Sequence, residues 1–232
     1  MAGWGELALA FAAFLGSHAL PVQPPVKARL TASLGPRGYL LAYSALSVAM
    51  LAWLIVAAGR APFVPLLPWA AWQAWVPALV MPVVCLLIAF GTAVPNPLGF
   101  GGARNGLFDP DRPGIVGLTR HPLLWALALW AGAHALANPD LAHVLVFGGF
   151  AGFALAGMRI IDRRMRRLMG AEHWQRMAAR TAILPLAALL AGRWRPAGAP
   201  DLRRLGVGLA LWVGLLWAHG PVIGLSPLPA PV

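Results

Sequence analysis

Residues 141–170 read LAHVLVFGGFAGFALAGMRIIDRRMRRLMG. The stretch is apolar from Leu141 to Ile161 and then turns basic, with Arg159, Arg163, Arg164, Arg166 and Arg167 close together. An apolar run of about 20 residues crosses a hydrocarbon core of about 30 Å at about 1.5 Å per residue. Cations that follow such a run directly are retained on the cytoplasmic side. Met158, Ile161, Met165 and Leu168 recur at helical spacing, which predicts that the helix continues beyond the membrane, and Gly170 is placed to end it. Ala171–Arg180 then reads as a second short helix.

Five more apolar blocks surround this one: Gly3–Pro21, Tyr39–Ala58, Trp69–Ala93, Pro122–Ala137 and Leu205–Leu225. Basic segments separate them, with Lys27, Arg29 and Arg37 first, then Arg104, Arg112 and Arg120, and later Arg176, Arg180, Arg193, Arg195, Arg203 and Arg204. If every block crosses once, all of the 18 Lys and Arg residues except Arg60 fall on one side. That asymmetry puts both termini outside and the long loops in the cytoplasm. Ala182–Gly192 is apolar but only about 11 residues long, the length of an interfacial or re-entrant piece. Were it to cross, Arg193, Arg195, Arg203 and Arg204 would be exported. The expectation is therefore an all-α, polytopic transmembrane helix bundle of six spans, forming one domain over residues 1–232; the alternative is seven spans.

Composition points the same way. The chain is 59% hydrophobic and 11% charged, against about 25% charged for a soluble domain. Mean hydropathy is +0.71 and the pI about 11.7. The arginines flank apolar spans, so topology and anionic headgroups account for the basicity, and no nucleic-acid partner is expected. Trp4, Trp69, Trp72, Trp75 and Trp217 lie near span ends, where amphipathic rings favour the interface. The first block lacks a basic n-region and carries Glu6, unlike a cleaved signal. Cys85 is the only cysteine, so an intrachain disulfide, a multi-thiolate metal site and covalent c-type haem are excluded.

Polar groups inside apolar helices are costly and mark function. His18, His121 and His134 qualify, whereas His143, His173 and His219 combine no apolar depth with a motif. His121 opens the fourth block with Pro122 in the first helical turn. His134 lies about 20 Å further along and about 140° around the same helix, so these two cannot hold one atom. Ala131, Gly132, Ala133 and Ala135 leave room around His134 for a helix or a flat ligand. Two neutral imidazoles on facing helices suit a b-type haem, with Arg120 and Arg159 available to its propionates. The competing reading treats each histidine as an interfacial or locally bonded residue. The loop Val94–Thr119, about 26 residues long, has the length of a lid or binding loop. Its Gly99-Phe100-Gly101-Gly102 lacks the Lys-Ser/Thr of a phosphate loop.

Gly16-Ser17-His18, Leu34-Gly35-Pro36-Arg37-Gly38-Tyr39 with Tyr43-Ser44, Thr119-Arg120-His121-Pro122 with His134, and Gly157-Met158-Arg159 through Arg164 together resemble the NnrU family of membrane proteins. The resemblance covers residues 7–195 and leaves 205–225 as an additional C-terminal span. The family's name reflects a link to nitrite and nitric oxide reductase expression in denitrifying bacteria. It is similar to the 15-cis-ζ-carotene isomerases, which hold b-type haem between two histidines. That similarity implies His18 and His134 as the iron ligands. The topology sets these two about 10–15 Å apart in depth at about 1.5 Å per residue, which leaves His18 with His121 as the alternative pair. Arg120-His121-Pro122, Asp162-Arg163-Arg164, Gly170, Trp174 and Pro185 also resemble the isoprenylcysteine-type membrane methyltransferases, which bind S-adenosylmethionine (SAM). This chain departs from them in having Asp162 alone for an acidic pair, and Trp174 and Met177 for a tyrosine pair.

Three functions follow as expectations. The first is a haem b protein acting in redox-linked isomerisation of a hydrophobic small molecule, electron transfer to a redox partner, or sensing tied to nitrite and nitric oxide metabolism. The second is a cytoplasm-facing SAM-dependent methyltransferase with His121, Arg159 and Asp162 at its site. The third is a non-catalytic accessory or transport protein. The topology itself is testable: alkaline phosphatase inserted after Arg60 should be active, and inserted after Gly170 inactive. The reverse pattern would invert the orientation.

Overall fold

The computed structural model describes residues 2–228, and among them no strand occurs. The helices are α1 (Ala2–Ala19), α2 (Pro24–Arg60), α3 (Trp72–Gly91), α4 (Ile115–Leu118), α5 (Pro122–Ala137), α6 (Leu141–Met169), α7 (Ala171–Ala178), α8 (Ala187–Leu190) and α9 (Leu202–Ile223). The six apolar blocks fall largely within α1, α2, α3, α5, α6 and α9, of which α2 and α6 extend well beyond their blocks. Four of these, α2, α3, α6 and α9, are long and apolar enough to cross a membrane. α5 is apolar but shorter, and α1 carries Glu6 and His18. Many large apolar side chains on these helices are exposed, among them Leu79, Leu145, Phe153, Val207 and Trp217. Apolar surface on this scale suits lipid better than water.

The described residues form two compact units. One comprises the chain up to Pro68 together with Pro139–Val146. Here α1 and α2 pack as an antiparallel pair, with Arg60 at the end of α2 bonded to Glu6 near the start of α1 (3.2 Å). The single cation expected on the far side is thus ion-paired. α2 begins at Pro24, well before the apolar block at Tyr39. It breaks at Gly35, which has φ 71° and ψ 166°. Pro36 supplies no N–H and its ring clashes with the preceding turn, and only glycine takes the resulting positive φ without cost. Beyond α2, Val64 and Leu66 pair through their backbones with Leu141 and Pro139. Asp140 then caps α6, accepting from the His143 N–H at 3.2 Å and bonding its ring Nδ1 at 2.6 Å. His143 is therefore part of a helix cap.

The second unit comprises Trp69–Asn138 and the residues from Phe147 onward. Val84 and Leu87 of α3 pack with Ala126 of α5, and Leu124 and Ala128 of α5 pack with Ala154 and Met158 of α6. α9 joins along α3, where Gly208 comes so close that a Cβ there would lie 2.8 Å from the Leu86 side chain and 3.3 Å from its Cα. At the start of α9, Asp201 accepts from the N–H groups of Arg203 (2.9 Å) and Arg204 (3.3 Å). The Arg204 guanidinium reaches across to the Ala89 and Thr92 carbonyls (2.6 and 3.0 Å), satisfying the C-terminal end of α3.

α6 runs past the apolar block and stops at Gly170 (φ 81°), as its helical spacing predicts. Ala182–Gly192 forms no spanning helix. It holds only the short turn α8, pinned by the Leu186 N–H on the Leu118 carbonyl (2.9 Å). The Trp194 ring, packed with Ala182 and Ala188, lies directly over Gly117, where no Cβ fits. Gly208→Leu should separate α3 from α9 and cost about 1–3 kcal/mol of overpacking, read as a lower Tm in detergent. Gly214→Leu, on the same helix with nothing near its Cβ, should leave Tm unchanged.

Candidate functional site

The most heavily bonded polar group of the second unit gathers around Thr119-Arg120-His121-Pro122. Pro122 opens α5 and His121 sits at its N-cap with φ −123° and ψ 62°, its side chain not capping the helix. The imidazole is thereby free to point elsewhere. The segment is held on both sides by main chain. Arg120 donates its N–H to the Ala182 carbonyl (2.7 Å). The Thr119 hydroxyl and the Trp125 indole both donate to the Ile183 carbonyl, each at 2.8 Å. From the other side the Asn96 amide donates to the Arg120 carbonyl (3.1 Å). Asn96 is fixed in turn by the Leu98 N–H and by its own N–H on the Asn105 side chain. A Cβ on Gly99 would fall 2.6 Å from that amide and 2.8 Å from the Arg120 carbonyl. The long loop is thus a built floor beneath Arg120.

The side chains converge on Asp162 of α6. One carboxylate oxygen accepts from Arg120 Nη1, and the other lies 3.0 Å from His121 Nε2. Arg120 Nε donates to the Thr181 hydroxyl at 2.9 Å, Thr181 donates onward to the Ala178 carbonyl, and the guanidinium lies over the Trp174 ring at 4.8 Å. The His121 and Arg120 side chains are 0% and 8% exposed and Asp162 is 12% exposed, so this is a buried charge pair. Burial pulls the Arg120 guanidinium below its ordinary pKa, and Asp162 pushes it back up. A carboxylate oxygen accepts, so Nε2 of His121 carries a proton in this contact. The His121 Nδ1, like the Trp174 indole N–H, is buried with no partner among the described residues. Leaving such an atom unmet costs about 1–3 kcal/mol.

His18 and His134 each place Nδ1 against a carbonyl of their own helix, and His18 Nδ1 also lies 3.3 Å from the Ser17 hydroxyl oxygen. His18 Nδ1 lies 2.8 Å from the Phe14 carbonyl, and His134 Nδ1 lies 2.8 Å from the Trp130 carbonyl, one helical turn back in each case. A carbonyl only accepts, so each ring carries a proton on Nδ1, and in its neutral form has the Nε2 lone pair free. His18 lies against Phe14 (4.2 Å between ring centroids) and edge-on to Tyr43 (6.0 Å). His134 lies beside Trp130 and Phe147, each at 5.4 Å, and those two rings also touch each other at 5.3 Å. His18 belongs to the first unit and His134 to the second. Among the described residues no cluster of three or more His, Cys, Asp or Glu side chains is arranged to hold a metal ion.

Of the residues singled out in the sequence, Arg120, His121 and Asp162 come together. Arg159 is exposed, one turn before Asp162, and is not bonded into the cluster. Thr181 and Asn96 were missed. Thr181 carries no motif and its role appears only once Ala182–Ile183 folds back onto Thr119–Arg120. Asn96 could have been found from its place at the head of a glycine-rich loop.

Apolar helices of membrane-crossing length and a buried Arg–Asp–His cluster at the start of α5 define a helical integral membrane protein with a built polar site. The chain belongs to the NnrU family (NnrU protein), whose signature matches residues 6–227. The match takes in α9 as well as the region up to Arg195. No curated protein and no solved structure matches the chain.

Asp162→Ala should strand the buried Arg120 charge and cost about 3–5 kcal/mol. Thermal unfolding in detergent should register a large loss, and Arg163→Ala on the exposed side of α6 almost none. Equal losses would mean that Asp162 carries no special burden.

Proposed function

We propose that this chain is a six-span protein of the bacterial inner membrane, basic loops in the cytoplasm, that binds b-type haem through His18 and His134. The observation that carries the reading is the matched state of the two imidazoles. Each places Nδ1 as a donor to a carbonyl of its own helix, so that the neutral ring offers Nε2, as an iron ligand does. The carbonyl partner also fixes ring orientation and raises the basicity of the free nitrogen. Phe14 and Tyr43 lie beside the first ring, and Trp130 and Phe147 beside the second, giving each imidazole an aromatic setting suited to a macrocycle. His121 fits less well, because its Nε2 is engaged with Asp162. Bound haem supplies one-electron redox chemistry. The protein residues supply ligation, ring orientation and a dry, aromatic setting. Together with the family's association with nitrite and nitric oxide reductase expression, this supports a redox-linked role in nitrogen-oxide metabolism, whether as isomerase of a hydrophobic molecule, electron carrier or sensor.

A second reading, cytoplasm-facing SAM-dependent methyl transfer, is favoured by the meeting of Arg120, His121 and Asp162 in one cluster. An optical spectrum of the purified protein, oxidised and dithionite-reduced, separates the two. The haem reading expects a Soret band, sharp α and β bands on reduction, and about one haem per chain. His18→Ala and His134→Ala should each remove the six-coordinate spectrum, and His121→Ala should leave it in the fraction that folds. A colourless protein from haem-sufficient cells would overturn the reading. If that protein bound labelled SAM and lost it with His121→Ala, the second reading would stand. Binding of neither would leave an accessory or transport role.

A further inference from the structure

The contact between α3 and α9 has a second consequence besides packing. Gly208 lets the two helices touch at Leu86 and Ala89, and a groove of about 490 Å³ lies beside that crossing. One wall is Arg203, Val207 and Leu211, spaced by four residues on a single face of α9. The other is Ile88 and Thr92, four apart on α3. The groove is therefore graded along the helix axis. A cation stands at the start of α9, and only apolar side chains follow toward the middle of this membrane-crossing helix.

The charges at the mouth are unequal in their commitments. Arg204 is fixed by the Ala89 and Thr92 carbonyls and lies 3.9 Å from Asp201. Asp201 is held by the first N–H groups of α9. Arg203 is exposed, and its side chain makes no hydrogen bond or ion pair among the described residues. It is a free guanidinium above an apolar slot, next to a second guanidinium that cannot swing away. A planar guanidinium matches phosphate oxygens, and basic pockets between spanning helices take anionic headgroups.

We propose that this groove binds one anionic phospholipid, its phosphate on Arg203 within the field of Arg204 and one acyl chain along Val207, Leu211 and Ile88. The site is separate from the histidines and from the Arg120 cluster, and holds whether or not haem is bound. The test is native mass spectrometry of the full-length protein in detergent, titrated with phosphatidylglycerol or with phosphatidylcholine of the same acyl chains. One phosphatidylglycerol should be retained per chain, at least ten-fold more tightly than phosphatidylcholine. Arg203→Gln should remove that preference, and Leu211→Trp, which fills the slot, should weaken retention of both lipids. Arg167→Gln, in the exposed basic stretch of α6, should change nothing. Equal retention of the two lipids, or retention untouched by both Arg203→Gln and Leu211→Trp, would overturn the proposal. So would displacement of the lipid by equimolar glycerol 3-phosphate, which would mean that the headgroup alone is bound.

Discussion

One carboxylate organises the second unit. Asp162 lies on α6 where the apolar stretch gives way to arginines, and it compensates a guanidinium that is almost wholly buried. An isolated charge there would not be tolerated, so Arg120 can enter only if Asp162 meets it. Once it does, the rest of the arrangement is constrained. The Arg120 main chain is held by Ala182 on one side and Asn96 on the other. His121 is left to share the second carboxylate oxygen, and its proton is thereby assigned. Three separate stretches, the loop after α3, the turn before α5 and the strap after α7, are tied to α6 through this single group.

The same logic explains why non-helical backbone is concentrated at this end of the unit. Irregular main chain survives near a bilayer only where protein supplies its hydrogen bonds. Ala182–Ile183 is apolar enough to enter lipid, yet its carbonyls are taken by Arg120, Thr119 and Trp125. Apolar side chains and satisfied backbone together make a structured plug rather than a span.

Much of this was readable from residues alone. The apolar blocks marked the helices because lipid demands length and hydrophobicity before anything else. Gly170 was legible as a stop because a glycine after a periodic basic stretch has few other uses. Ala182–Gly192 was disfavoured as a span by its length and by the cost of exporting four arginines. The start of α2 was not legible. Pro24–Leu34 carries Lys27 and Arg29 and too few large apolar residues to read as a span, although Val26, Leu30 and Leu34 recur every four residues, and the Gly35–Pro36 pair reads as a boundary when it is an internal break. The Asp162 cluster was half visible: Arg120, His121 and Asp162 were marked by motif, whereas Thr181 and Asn96 act through contacts far apart in the chain.

The break at Gly35 also divides the electrostatics of α2. A continuous rod from Pro24 to Arg60 would carry one macrodipole with its positive end at Pro24. Interrupted at Gly35, it carries two, and a fresh positive end forms at Pro36, where the first amides of the second segment lie. Those amides need water, headgroups or protein oxygens, and hydrocarbon offers none. The apolar segment that begins at Tyr39 therefore cannot sink deeper than the break allows. Gly35 and Pro36 act as a depth stop, setting the height at which α2, and with it His18 beside Tyr43, rides in the bilayer.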